Sequence, residues 1–258
     1  MSRIITRRAA LGRLALGVGG VGASGLLAGC DRLNDSPAFR RILFAGEDMN
    51  KGFQRALTDR NALAREYPHS LRSPVFRANG TRQPGGETYA RHMATGFADW
   101  RIRIDGLVAR PLSIAPAQLR QFPQRSQTTR HDCVEGWSAI GTWTGTPLKL
   151  LLEAAGLSTN ARYLVFHCAD FYGPNRYYET IDLIDAFHPQ TILAWGLNGR
   201  PLPIANGAPA RLRVERHLGY KHAKFVERIQ AVADIGSIGL GRGGFWEDHH
   251  DYDWYAGI

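Results

Sequence analysis

Apolar and polar positions alternate from Trp100 to Asp105, and Gly106 follows, which predicts a strand running into a turn. The 125–132 segment is polar but suits a strand leading into Cys133. The 162–168 segment, with Tyr163, Val165 and Phe166 apolar, reads as a core strand. Further strands are predicted over 177–180, 191–197, 212–214 and 225–232, and the Asn198-Gly199 pair after the second of these marks a hairpin turn. Residues 115–122 suit a short helix. Residues 147–155 predict another, with Thr146 as its N-cap, Pro147 in the first turn and Gly156 at its end. The 31–97 stretch is mostly irregular: a polar tether over 31–39, weak helical spacing of Phe53, Leu57 and Leu63 within 50–66, and a long loop rich in Pro, Gly and Arg over 68–86. The tail from 241 to 258 mixes Phe245, Trp246, Trp254 and Tyr255 with acidic residues, a composition that packs on a body. Strands and helices mix without βαβ spacing or an internal repeat, so the fold class is α+β.

The first thirty residues break this pattern. Arg7-Arg8 precedes the uncharged 14–27 segment, which at 14 residues is too short for a membrane span and reads as a signal-peptide core. The paired arginines, with Leu11 after them, resemble a twin-arginine export signal, and Leu27-Ala28-Gly29-Cys30 resembles a bacterial lipobox. Residues 1–29 are therefore read as a signal peptide, 30–67 as a tether and N-terminal extension, and 68–258 as the single folded domain. Cleavage before Cys30 would leave a lipidated cysteine holding the protein to a membrane in the periplasm. A twin-arginine route carries folded proteins, which suits a protein that acquires a cofactor before export.

The signal changes the charge argument. The 258-residue chain carries 32 Lys and Arg against 23 Asp and Glu, a net charge of +9. Four arginines and no acid leave with residues 1–29, so the remainder carries +5. An excess of that size suits a local anion pocket, and no zinc-finger or RNP-like spacing supports nucleic-acid binding. Three cysteines exclude a disulfide-stapled scaffold.

The sharpest chemical signal surrounds Cys133. It stands at a predicted strand-to-loop junction in Arg130-His131-Asp132-Cys133-Val134-Glu135-Gly136-Trp137, followed by Trp143-Thr144-Gly145. A thiolate so placed is a soft ligand for a transition metal. Two other readings of the residues stand beside this one, a buried structural cysteine and a zinc site drawn from His131, Cys133, His167 and Cys168. His131 reads either as a structural histidine or as a wall of the substrate side.

The Cys-Val-Glu-Gly-Trp run with the following Trp-Thr-Gly resembles the molybdenum-ligand segment of the sulfite oxidase superfamily. The likeness is strongest to the bacterial periplasmic branch that includes the catalytic subunit of the protein-methionine-sulfoxide reductase. It extends from about Asn79 to the C-terminus and implies a mixed-sheet molybdopterin-binding fold, a molybdenum-molybdopterin cofactor and Cys133 as the metal ligand. Asn206-Gly207-Ala208-Pro209-Ala210-Arg211 and Gly219-Tyr220-Lys221-His222-Ala223-Lys224 resemble the family's two pterin-binding segments. Asn206, Arg211, His222, Ala223 and Lys224 are then implied to touch the pterin. Asn79 matches an early pterin-contacting asparagine, and Cys168 stands where close relatives place a threonine against the pterin. Arg and Lys suit the phosphate, and Asn suits ring edges that both donate and accept.

The implied function is an oxidoreductase moving an oxygen atom to or from a small sulfur-type substrate. S-oxide reduction, with a small molecule or oxidised methionine as substrate, is favoured over sulfite dehydrogenation. The chain lacks a Cys-x-x-Cys-His haem motif and a flavin fingerprint, so electrons are expected from a membrane haem protein or a soluble cytochrome. A non-catalytic lipoprotein binding an anion or metal is the reading from another class.

Overall fold

The computed structural model describes residues 36–258. The signal and lipobox readings lie outside them. The chain divides between Phe53 and Gln54, and the larger unit, Gln54–Ile258, carries all the strands. Two helices precede the sheets: α1 (Pro37–Leu57) and α2 (Glu87–Ala94). α1 begins inside the segment read as a tether, and α2 lies in the stretch read as irregular.

One five-stranded sheet has the order β2-β1-β10-β5-β6, built from β1 (Ile102–Gly106), β2 (Leu112–Ile114), β5 (Tyr163–Tyr172), β6 (Asn175–Asp182) and β10 (Val226–Val232). β1 and β10 run parallel while the other pairs are antiparallel, so the sheet is mixed. The other sheet contains β3 (Arg125–Asp132), β4 (Ser138–Pro147), β7 (Ile192–Leu197) and β8 (Arg200–Pro201), with β9 (Arg211–Arg213) also paired to β7. Asn198 and Gly199, both at positive φ, make the predicted turn between β7 and β8. Short helices α3 (Pro116–Leu119), α4 (Leu148–Ala155), α5 (Leu183–Ala186) and α6 (Phe245–His250) complete the fold.

β4 was hidden in the sequence because Gly141 and Gly145 weaken its apolar alternation. Both are required there. A side chain at Gly145 would meet the Leu193 carbonyl at 2.4 Å, and one at Gly141 would meet the Phe76 ring at 2.8 Å. Because β4 extends to Pro147, that proline takes the N-cap position of α4 and not the first turn. Thr146, expected as the cap, turns its hydroxyl to donate to the Leu119 carbonyl at 2.7 Å. Leu148, Leu151, Leu152 and Ala155 recur at helical spacing and are buried in the main core, and Gly156 closes the helix in the left-handed region.

The compact body starts earlier than residue 68. Gln190 clamps Ala64 through both its backbone groups at 2.8 and 2.9 Å, and Tyr67 donates to the Thr128 carbonyl at 2.8 Å. Arg55 reaches Asp182 and Asp185, and Asp185 also accepts from Arg216 and His217. Burial pushes the Asp185 carboxyl up, but His217 and Arg55 outweigh it and hold the group below the ordinary carboxylate range.

A group depressed in this way contributes stability above its unfolded pKa and loses it as pH falls through the folded value. Asp185→Asn should lower unfolding free energy by on the order of 3 kcal/mol at pH 7, because Arg55, Arg216 and His217 lose their common carboxylate. Urea unfolding at pH 7 and pH 3 should show that difference shrinking at the lower pH.

Candidate active site

β3 ends at Asp132, and the next five residues form a closed loop. The Trp137 carbonyl accepts from the Cys133 amide at 2.9 Å, and the Cys133 carbonyl accepts from the Gly136 amide at 3.0 Å. Gly136, at φ 84°, makes the turn that projects Cys133 into a cavity of about 150 Å³. Asn79 lies across from it and donates from Nδ2 to the Cys133 sulfur at 3.0 Å. Burial raises the thiol's pKa, as does the Glu135 carboxylate, while a backbone hydrogen bond, Arg77 and Asn79 act the other way. Cys133 therefore holds its proton until something electrophilic displaces it.

The cavity floor is cationic. Arg211 donates to the carbonyls of Asn206 and His222, both at 3.0 Å, and lies over the buried Trp143 ring. Its Nε is buried without a partner. Lys224 donates to the carbonyls of Asn79 at 2.7 Å, Ala205 at 3.3 Å and Thr81, tying the 79–81 loop and the 205 segment to one ammonium group. Gly207, at φ 110°, lets this happen, since a side chain there would meet Lys224 Cβ at 2.9 Å. Among the described residues, neither cation has a carboxylate within ion-pair distance. Burial and the neighbouring Arg213 lower Arg211 to about 9. Burial and Arg211 lower Lys224 to about 7. A pair of buried, mutually repelling cations held by carbonyl dipoles is a receptor for an anion.

The same charges fix two histidines as neutral. Arg213 pairs with Glu215 and donates to His131 Nδ1 at 2.8 Å, so His131 carries its proton on Nε2. His222 Nε2 lies 3.0 Å from the His217 carbonyl and must donate, which leaves Nδ1 as a bare, buried acceptor. Burial first, then Arg213, holds both rings well below the ordinary histidine pKa. Asn206 adds a buried Nδ2 without a partner. The site thus offers unfilled donors at Asn206 and Arg211 and an unfilled acceptor at His222.

Asn79, Cys133, Arg211, His222 and Lys224 line the cavity directly. Asn206 and Ala223 are buried and do not line it; the Asn206 carbonyl accepts from Arg211, and the Ala223 carbonyl accepts from the Leu212 amide at 2.8 Å. Cys168 is the exception: it is fully buried in the main core and does not line the cavity. The pairing of β5 with β6 breaks between His167 and Phe171, and this bulge ends the alternation. Asp170 lines the cavity instead, with Oδ1 buried and unpaired and its carboxyl pushed up to about 6 by burial. Asp170 lies two residues after Cys168, and that spacing was the available signal for it. His131 does not line the cavity and takes the structural role. Cys133 and Cys168 are free thiols, and no three His, Cys, Asp or Glu side chains converge among the described residues, which leaves the zinc reading without a site.

The open side differs from the floor. Val134, Glu135, Tyr220, Trp246 and Tyr252 line it, and Trp137 donates to the Glu135 carboxylate at 3.0 Å. α6 and the tail after it were read as packed aromatics, and Trp246 and Tyr252 stack at 5.7 Å to form one wall.

A family model described as the oxidoreductase molybdopterin binding domain matches residues 90–235, which include Cys133, Arg211 and Lys224. The chain belongs to this family. It is an oxidoreductase, and molybdopterin is its cofactor. A relative from Azospira oryzae, provisionally named protein-methionine-sulfoxide reductase subunit YedZ1, is 38% identical over 237 residues, covering 92% of this chain and 84% of the relative. The fold resembles that of the sulfane dehydrogenase SoxCD from Paracoccus pantotrophus, with a TM-score of 0.50 and 24% identity over 58% of this chain. The chain spans 45% of that protein's length. The mixed-sheet α+β architecture read from the sequence is the architecture of this family.

The depressed Lys224 has a consequence for the cofactor-free protein. Between pH 7 and 8.5 the unfolded chain keeps its lysines protonated while folded Lys224 sheds its proton, so stability rises with pH. Relative to Lys224→Met, the wild type should gain on the order of 1 to 2 kcal/mol over that window, at about 1.4 kcal/mol per unit for a fully linked proton. Chemical unfolding of both cofactor-free proteins at the two pH values checks this.

Proposed function

We propose that this protein reduces S-oxides, methionine sulfoxide among them, with electrons delivered by a separate membrane haem protein or cytochrome. The observation that carries the reading is the division of charge in the cavity. Arg211 and Lys224 lie on the floor, while the open side carries the Glu135 carboxylate and aromatic walls. Sulfite is a small dianion and would meet a like charge at the entrance. A neutral S-oxide needs no cation there; its apolar substituents fit against Trp246 and Tyr252. The name of the Azospira relative points the same way.

The residues fit molybdopterin. The phosphate finds Arg211 and Lys224, whose lowered pKa values an anion would restore. Asn206 Nδ2, His222 Nδ1 and Asp170 Oδ1 offer the mixture of donors and acceptors that pterin ring edges require. Cys133 supplies the thiolate that would hold molybdenum, and Asn79 orients it. When bound, the cofactor supplies two-electron oxygen-transfer chemistry. The chain's own part is to bind, orient and exclude: Lys224 fixes the Asn79 loop, and Asn79 fixes the sulfur. The aromatic wall limits water. Asp170, with its carboxyl held near 6, keeps a share of its protons at neutral pH in a reaction that consumes two protons for each oxygen released as water.

Export and anchoring follow the sequence reading. The Arg7-Arg8 pair directs the folded, loaded protein to the periplasm, and lipidated Cys30 holds it at the membrane beside its electron donor.

Two measurements test this. Steady-state kinetics on the molybdenum-loaded protein with artificial donors and acceptors should give a kcat/KM for S-oxides well above that for sulfite, and Cys133→Ser should keep the fold but lose turnover with both. A sulfite kcat/KM above that for every S-oxide contradicts the reading. Replacing Arg7 and Arg8 together by Lys should leave loaded protein in the cytoplasm, as fractionation would show.

A further inference from the structure

α1 is an amphipathic helix with its exposure inverted. At about 100° per residue, Ile42, Met49, Phe53 and Leu57 fall on one stripe, with Leu43 at its edge. These five side chains are 52 to 73% exposed, and the helix has no buried residue. The half-buried positions include Arg40, Glu47, Lys51 and Arg55, on the opposite side. A helix facing water turns its charges outward and its apolar side chains inward. α1 does the reverse over 21 residues, and Arg55 is committed to Asp182 and Asp185 in the body.

We propose that α1 lies flat in the surface of a phospholipid bilayer, with the Ile42–Met49–Phe53–Leu57 stripe among the acyl chains. Arg40, Arg41 and Lys51 outnumber Glu47 and Asp48 and favour anionic headgroups. Among the described residues no helix is long and apolar enough to cross a membrane, so α1 rests on the bilayer and does not span it. The position of the preceding chain supports this occupant over a protein. This step rests on the anchoring reading: Cys30 stands seven residues before Pro37, a distance of at most about 25 Å. Lipid on Cys30 would bring the helix to the bilayer surface, where an apolar stripe sinks about 5–10 Å. The helix is then a second membrane contact.

The test uses the purified full-length lipoprotein, loaded with cofactor and reconstituted into vesicles containing anionic phospholipid. Cys133 and Cys168 are buried, so a cysteine placed on α1 takes an environment-sensitive fluorophore. Met49→Cys should give blue-shifted emission and lose most of its intensity to nitroxide-labelled lipids. Asp48→Cys, off the stripe, should keep water-like emission and respond to aqueous iodide. Phe53→Cys should repeat the Met49 result and serves if that variant does not fold. Water-like emission at both stripe positions overturns the proposal. So does a blue-shifted signal blind to lipid nitroxides, which would mark a protein partner or a second copy on the stripe. Mass spectrometry of the N-terminus separates the two readings. No lipid on Cys30 contradicts anchoring, whereas lipid on Cys30 with a water-like probe contradicts only the interfacial helix.

Discussion

The site depends on buried positive charge that the protein does not balance. Arg211 and Lys224 lie in the cavity floor with carbonyl oxygens as their partners and, among the described residues, no carboxylate within ion-pair distance. Carbonyl dipoles orient a cation but leave its charge in place, so each group is held at a cost that shows as a lowered pKa. A fold selected only for stability would remove that charge or pair it. Its retention here, beside unfilled hydrogen-bonding atoms on Asn206 and His222, marks a surface shaped for an anionic group with a polar ring. Neighbouring Arg213 does have a partner, Glu215, and the contrast separates a structural arginine from one reserved for a ligand.

Other features follow from this charge. His131 and His222 stay neutral because they are buried and because cations, Arg213 first, surround them, and neutrality fixes their tautomers. His131 then serves as an acceptor that locks Arg213, while His222 presents an acceptor to the cavity. Gly219 allows the close approach, since a side chain there would meet His131 Nε2 at 2.6 Å. Lys224 carries the effect toward the reacting side: it holds the Asn79 loop, and Asn79 holds the Cys133 sulfur. The cationic floor and Cys133 are therefore one mechanical unit, joined through a single ammonium group.

Much of this was legible in the sequence where local chemistry decides the outcome. The β3 strand, the cysteine loop, the Gly156 cap and the Asn198-Gly199 turn each follow from residue type and spacing. Arg211, His222 and Lys224 could be placed together because their two segments resemble the family's pterin-binding segments. What the sequence concealed depends on contacts distant along the chain. β4 hides behind glycines whose purpose is to admit Phe76 and Leu193. α1 was caught only at its end, by the periodicity within 50–66. Cys168 and Asp170 exchange places as cavity neighbours because a bulge resets which side chain faces inward. That irregularity, four residues along β5 against two along β6, is set by the pairing of the two strands.

The central claim is that Cys133 and the cationic floor together hold a molybdenum-bearing pterin. Molybdenum K-edge X-ray absorption on purified wild type and Cys133→Ser tests it most directly. The account predicts that the variant's metal, where retained, has one sulfur neighbour fewer than the wild type's, with a lighter atom in its place. An identical sulfur shell in the two proteins would contradict it.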